Sequence, residues 1–329
     1  MVNENYNYVT CSLCHSPNSQ FLCKFNYRQF GLKEPFVLIK CTGCGHIYNN
    51  PRLKTEEANK LYNQDYYVIN ERCREKRMWL PALEDYINKV KPLEGIIDGR
   101  NLLDIGCGMG FLMKICRDNG WEVFGVDLSL TAIKYAKENL GLNTELGRIE
   151  DIDFKSRKFN LILALDLLEH LDDPPKFIER CYEILEDDGM LIIETPNIAS
   201  IYRKITGKYW VGFNPYHIQF FSSRTLRRLI LTSKFKILDI YTTFNDIFAK
   251  RNLWRWFSNQ VFLKLIFSKI WQFKRKMGEN NIYADIIQVD TAYSKLETTM
   301  NMHKLKEARN NILAKKLLGD QLVAILIKE

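Results

Sequence analysis

The sequence predicts an α/β protein built on a doubly wound, seven-stranded, mostly parallel sheet. The first observation is alternation: from Asn101 onward, short apolar runs take turns with amphipathic segments of helical period. The runs are NLLDIG (101–106), WEVFGVD (121–127), NTELG (143–147), FNLILALD (159–166), GMLIIETPN (189–197) and FKILDIYTT (235–243). The second is punctuation. Helical segments are expected at 110–119, 129–140, 174–186 and 223–233, with Ser129 as an N-cap and Gly120 and Gly141 as stops. The third is a seventh run, QLVAILIKE (321–329), which follows a long excursion over 244–318 and reads as a last strand after an insertion. Strands that alternate with helices are covered on both faces, which is the condition for parallel pairing.

Composition bounds the rest. A chain of 329 residues, 46% of them hydrophobic, supports one large core plus an appendage, or two domains. Charged residues make up 26%, which excludes wholesale disorder. A net charge of +8 permits anionic partners without demanding them. The opening MVNENYNYVT has neither a basic nor an apolar signal region, and no run of about 18 apolar residues exists. The expectation is a cytoplasmic protein. Its nine cysteines are then reduced thiols, better suited to metal than to disulfides.

The first segment, 1–52, carries two knuckles, Cys11-x-x-Cys14 and Cys41-x-x-Cys44, 26 residues apart. Each knuckle presents two thiolates at one corner of a tetrahedral ion, so the spacing predicts a structural Zn²⁺ ribbon. Gly45 follows the second knuckle and can take the positive φ that turns N–H groups toward sulfur; His15 holds that place in the first. Cys23 and His46 are bystanders in this reading, and Cys73, Cys116 and Cys181 are ordinary thiols on helices. Residues 53–94 are expected to form a helical linker or cap, 95–248 the core domain, 249–318 a helical insertion and 319–329 the final core strand.

The stretch LLDIGCGMGF (102–111) places a glycine loop between a strand and a helix. Glycines let the backbone approach a ligand, and the helix N-terminus offers free N–H groups. The spacing Gly106-x-Gly108-x-Gly110 is not the G-x-G-x-x-G of dinucleotide sites, and no G-K-[ST] follows. Asp104 beside the loop repels a pyrophosphate but suits a ligand that carries an ammonium and a sulfonium. Asp127 ends the next strand, seventeen residues past Gly110, where an acid can accept from ribose hydroxyls. A structural turn remains the alternative at this point.

Four stretches in order, LLDIGCGMGF (102–111), FGVDLS (124–129), FNLILALDLLEHLDDP (159–174) and LEDDGMLIIETPN (185–197), resemble the class I S-adenosylmethionine-dependent methyltransferases. The resemblance covers about 95–245 plus the last strand, and implies the Rossmann-like methyltransferase fold. It also implies that Asp104, Gly106, Cys107, Gly108 and Gly110 cradle the methionine end of S-adenosylmethionine, and that Asp127 takes the ribose. Leu128 then flanks the adenine, Ile149 to Asp151, including Glu150, line the base, and Asp166 completes the donor set. Arg148 stands where many relatives have an acid that contacts the adenine amine.

The stretch Asp166-Leu-Leu-Glu169-His170 is similar to the acid-x-x-Glu-His stretch of ubiquinone-pathway O-methyltransferases, which implies a second divalent ion on Asp166, Glu169 and His170. The alternative is that Glu169 and His170 hold the following loop. Thr195-Pro196-Asn197 is expected at the acceptor mouth, and Asp173-Pro174-Pro175 reads as a helix entry. A ribbon ahead of such a domain resembles the deoxysugar C-methyltransferases, in which a Glu-His pair supplies the base. Here that pair is Tyr216-His217, so His217 is the candidate base and Tyr216 its neighbour; packing is the alternative role for His217.

The expected acceptor is a small metabolite, foremost a nucleotide-linked or glycan sugar methylated at O or C. The alternatives are a ubiquinone-like or lipid hydroxyl, a nucleic acid docked through the ribbon, or donor binding without turnover. Residues 250–278 hold eight basic residues, no acids and seven Phe or Trp. That composition suits a lid or dimer helix, a helix lying on an anionic membrane face, or a nucleic-acid surface.

Overall fold

The computed structural model describes residues 5–26, 35–54, 57, 79, 81–243 and 319–328. Of the helical cap expected over 53–94, residues 55–80 apart from Glu57 and Trp79 lie outside the described residues, as does the aromatic, basic stretch 250–278. Among the described residues no helix is long and apolar enough to cross a membrane.

The N-terminal part contains β1 (Tyr6–Asn7), β2 (Ser19–Phe25), β3 (Phe36–Cys41), β4 (Ile47–Asn49) and β5 (Arg52–Leu53). The core then runs β6 (Asn101–Ile105), α1 (Phe111–Asp118), β7 (Glu122–Asp127), α2 (Leu130–Leu140), β8 (Thr144–Leu146), β9 (Phe159–Leu165), α3 (Pro174–Ile184) and β10 (Leu185–Pro196). It continues with α4 (Ile201–Thr206), β11 (Gln219–Phe220), α5 (Ser223–Leu231), β12 (Lys236–Thr243) and β13 (Gln321–Ile327).

The expected seven-stranded sheet is present, in the order β12-β13-β10-β9-β6-β7-β8. Strands β10, β9, β6, β7 and β8 pair in parallel, whereas β13 enters between β10 and β12 and pairs antiparallel to both. The terminal run is therefore an interior strand, which accounts for its unbroken apolar sequence: Leu322, Val323, Ala324 and Leu326 are fully buried. The fifth strand starts at Leu185, earlier than its apolar run, with a register shift between Leu185 and Met190 across the polar Glu186–Gly189 turn. That start ends α3 at Ile184.

Helix starts follow local chemistry. Ser129 Oγ accepts from the Ala132 N–H, Asp173 accepts from Lys176 with Pro174 at the first helical position, and Ser222 and Thr225 form a reciprocal capping box. Gly141 stops α2 with φ 61°.

Residues 81–97 lie against α1: Tyr86, Val90, Leu93 and Ile97 share a buried cluster with Phe111, Leu112 and Ile115. On the other side of the sheet, Cys11, Cys41, Cys44 and Tyr48 join the same buried cluster as Ile162, Leu168, Phe221 and Leu226. The cysteine segment is thus continuous with the main core. It is also joined by strand pairing, since β11 adds to β4 in a sheet of order β11-β4-β3-β2.

At Gly110, φ is 81° and a Cβ would sit 2.5 Å from Leu142 Cδ1 and 3.2 Å from Ala136 Cβ. Gly110→Ala is expected to lower folding stability by about 1–3 kcal/mol through overpacking and left-handed strain. Thermal unfolding followed by circular dichroism checks it; an unchanged midpoint would show that α1 shifts freely against α2.

Candidate active site

Three parallel strands end at one edge and carry the residues expected on the donor side. Asp104 lies near the end of β6, Asp127 ends β7, and Asp166 follows β9. Gly106, Gly108 and Gly110 all have positive φ (79°, 51° and 81°), so the loop needs glycine at each. Asp127 braces this loop: its Oδ2 accepts from Gly108 N at 2.8 Å and its Oδ1 from Ser129 N at 2.7 Å. Its remaining lone pairs can accept from hydroxyls, the groups a ribose offers.

Asp104 is 5% exposed, and among the described residues no cationic side chain pairs with it. Burial pushes its carboxyl up to about 7, and Asp127 and Asp85 add to the effect. Two buried carboxylates lacking a cation fit a ligand that supplies one, as S-adenosylmethionine does through its ammonium and sulfonium.

Leu128 is 50% exposed beside Asp127. Leu146, which pairs with Asp127 across the β7–β8 ladder, is 46% exposed as well. Sequence reasoning passed over Leu146; an apolar residue at a strand end beside a turn glycine was the available signal. Ile149 departs from expectation. Its side chain is buried in the core and its carbonyl accepts from Arg180 Nε at 3.5 Å, so only main chain is left for a base there. Glu150 beside it is half-buried. Cys107 likewise turns inward: a Cβ on Gly125 would lie 2.8 Å from its thiol.

A second cluster forms around Glu169, 2% exposed, in the turn after β9. Its Oε2 accepts from Thr195 Oγ1 at 2.8 Å. Its Oε1 has no hydrogen-bond partner and faces His170 Nε2 at 4.0 Å and His217 Nε2 at 3.9 Å. Each imidazole donates Nδ1–H to a carbonyl, His170 to Tyr216 O and His217 to Gly212 O, both at 2.9 Å. A carbonyl only accepts, so both neutral rings turn an Nε2 lone pair toward Glu169. Two imidazole nitrogens and a carboxylate oxygen thus converge, and a positive charge between them, proton or metal, relieves their repulsion.

Electrostatics agree. Burial raises the Glu169 carboxyl well above the usual range, with Asp166 adding to it. Burial pushes His170 down to about 4, and burial followed by the neighbouring His170 pushes His217 well down.

This arrangement corrects the expected ion-binding set. Glu169, His170 and His217 hold ligand atoms within 4.8 Å of one another, and Asp166 is not among them. Asp166 instead accepts from Gln321 Nε2 at 3.0 Å, because its own φ of 50° turns it toward β13. Tyr216 serves His170 through its carbonyl. Thr195 and Asn197 are fully buried braces rather than mouth residues; Asn197 donates to Gly319 O at 2.8 Å. Lys89 was not foreseen. Burial works against its charge, but Glu194 at 2.9 Å and Asp85 outweigh that and hold it protonated. A lone lysine in a helical pattern gives no sequence signal of this kind.

The four knuckle cysteines are brought together, with Cys11 Sγ 3.5 Å from Cys44 Sγ and Cys14 Sγ 3.5 Å from Cys41 Sγ. Thiolates about 2.3 Å from a tetrahedral ion lie ~3.8 Å apart, so the set can hold a metal ion. His15 and Gly45 take φ of 57° and 81°, and their N–H groups close turns on Cys11 O and Cys41 O.

A family model described as a methyltransferase domain matches residues 74–240. The chain belongs to this family. It is a methyltransferase. Among its relatives are a ubiquinone biosynthesis O-methyltransferase of Coxiella burnetii, 28% identical over 49% of this chain and 78% of the relative. Another of the same name from Rhodopseudomonas palustris is 33% identical over 31% of this chain and 42% of the relative. A solved S-adenosylmethionine-dependent methyltransferase from Archaeoglobus fulgidus aligns over 81% of this chain and all of its own, at 22% identity and TM-score 0.46.

A raised Asp104 favours the folded state while protonated, so that contribution is full below the ordinary carboxylate range and is lost as pH rises through about 7. Ligand-free protein is expected to lose thermal stability over that interval. S-adenosylhomocysteine, whose ammonium needs the charged carboxylate, is expected to bind about tenfold more tightly at pH 8 than at pH 6. Calorimetry at both values checks this, and Asp104→Asn is expected to flatten the dependence; a flat wild-type profile would disprove it.

Proposed function

We propose that this methyltransferase acts on a hydroxyl of a small polar acceptor, a nucleotide-linked or glycan sugar, with His217 as general base. The observation that supports this is the convergence of Glu169 Oε1, His170 Nε2 and His217 Nε2 on one point. A sugar hydroxyl ionises far above neutral pH, so its oxygen needs a base as it attacks. Both imidazoles are held neutral by burial, so the His217 Nε2 lone pair is available to the acceptor proton. S-adenosylmethionine supplies an activated methyl on a sulfonium. The acceptor O–H gives its proton to His217 Nε2 as its oxygen takes the methyl; the S–C bond breaks and neutral S-adenosylhomocysteine leaves. Thr195 fixes the Glu169 carboxylate, and the carbonyls of Tyr216 and Gly212 fix the two rings.

A second reading is favoured by the orphaned Glu169 oxygen. Two imidazoles and a carboxylate form a set suited to a transition ion, which would polarise the acceptor oxygen. In the four-cysteine site Zn²⁺ is the proposed ion, structural because four thiolates leave no open position. The names of the relatives favour a ubiquinone-like acceptor as the alternative substrate.

Incubation with labelled donor and a panel of nucleotide sugars, glycans, quinols, lipids and RNA tests the acceptor class; labelling of a quinol and of no sugar would overturn the sugar assignment. With the acceptor so found, His217→Ala and Glu169→Gln are each expected to lower kcat by about 10²–10⁴ while donor affinity holds. Metal analysis separates the two readings. One equivalent per chain supports the base alone; two, falling to one in His217→Ala but not in Asp166→Asn, supports the ion.

A further inference from the structure

Gln219 is fully buried and joins two parts of the molecule that the reaction itself does not require to touch. Its carbonyl Oε1 accepts from His46 Nε2 at 2.8 Å and from Ser12 Oγ at 3.2 Å. Its amide Nε2 donates to Leu171 O at 3.1 Å. The orientation is unambiguous, because the carbonyls on one side can only accept. Ser12 lies inside the first cysteine knuckle and His46 two residues past the second, so both are placed by the four-thiolate cluster. Leu171 directly follows the turn that holds Glu169 and His170.

The main chain repeats the connection. Gln219 pairs with Tyr48, and Phe220 with Ile47, across β11 and β4. Asn49 N donates to Ile218 O, and Ile218 N donates to Glu169 O, each at 2.9 Å. His170 Nδ1 donates to Tyr216 O within the same strand approach. Arg52 Nη1 adds a bond to Asp172 O at 3.2 Å from the end of the cysteine segment. The segment that carries His217 is thus held between the ribbon on one side and the Glu169–His170 turn on the other. Neither segment has a helix or a long strand of its own to place its side chains; 168–170 is a single turn and β11 has two residues.

We propose that Gln219 is a positioning residue through which the cysteine ribbon sets the spacing of Glu169, His170 and His217. The ribbon is then part of the acceptor-side centre and no part of the donor site, whose loop is braced by the Asp127 carboxylate and the Val126 carbonyl. The inference rests on reading that trio as the acceptor-side centre, but its measurement needs no acceptor.

The chain has five histidines, so nitrogen-15 histidine spectra of the full-length, metal-loaded protein resolve each ring. Wild type is expected to show His170 and His217 with hydrogen on Nδ1. Gln219→Leu, which fills the same space without the amide, is expected to remove that signature at His170 and shift His217. The affinity for S-adenosylhomocysteine is expected to stay within about twofold of wild type. Ser12→Ala removes one donor to the Gln219 carbonyl without opening the core. It is expected to shift the same two rings less, and it decides the matter if Gln219→Leu does not fold. Unchanged His170 and His217 signals in the folded variants would overturn the proposal. So would a parallel loss of S-adenosylhomocysteine affinity, which marks a general structural role. Failure of wild type to bind S-adenosylhomocysteine would instead count against the methyl-transfer reading.

Discussion

Parallel pairing of β6 with β7 on one side and β9 on the other is the constraint on which the rest depends. The register sets Leu103 against Phe124 and Ile162, and Asp104 against Gly125 and Leu163. With three strands in step, their carboxyl ends finish at one edge, and each loop there starts from a rigid, fully bonded strand. That edge is where an open α/β sheet offers free backbone N–H groups and helix N-termini. Gly125 belongs to the same constraint: the Cys107 thiol and the Met113 sulfur occupy the space of a side chain opposite Asp104. The glycine loop can therefore lie flat on the sheet, and Asp127 can reach across to Gly108.

The acceptor side is built by other means. Its three convergent groups come from a single turn and from the loop that leads into a two-residue strand, neither of which would keep its shape alone. Their order comes from cross-bonds: Thr195 to Glu169, Tyr216 O to His170, Ile218 N to Glu169 O, and the ribbon behind them. A buried carboxylate facing two imidazole lone pairs is a strained electrostatic arrangement. Thr195 fixes one oxygen of that carboxylate, and the other faces the two rings. Lys89 performs the complementary task on the donor edge, where it holds Glu194 and Asp85 together beneath a concentration of acids.

Much of the fold was legible because its signals are local. Caps such as Ser129 and stops such as Gly141 act within one turn of the backbone, and the apolar runs record burial on both faces of the sheet. The glycine loop and the cysteine knuckles were legible for the same reason, since each packs its chemistry into a few consecutive residues. The legibility ended where partners are far apart in the chain. Asp166, Glu169 and His170 are neighbours in sequence, yet the left-handed backbone at Asp166 sends its carboxylate to Gln321, 155 residues away. His217 takes the vacated place from 48 positions beyond Glu169. Ile149 and Cys107 sit at the expected positions but turn inward, because side-chain direction at a strand end is decided by what packs beneath.

By itself the sequence determined the sheet of seven strands, the helices between them, the donor loop with its two acids, and the four thiolates. Each is specified by periodicity, capping or short spacing, and these act before the chain folds on itself. Only the tertiary structure decided that the last strand lies inside the sheet, that the ribbon shares the main core, and that His217 meets Glu169. Those outcomes depend on which distant segments exclude water together. The energy of that choice resides in long-range packing and hydrogen bonds, to which no single stretch of residues contributes enough to be read.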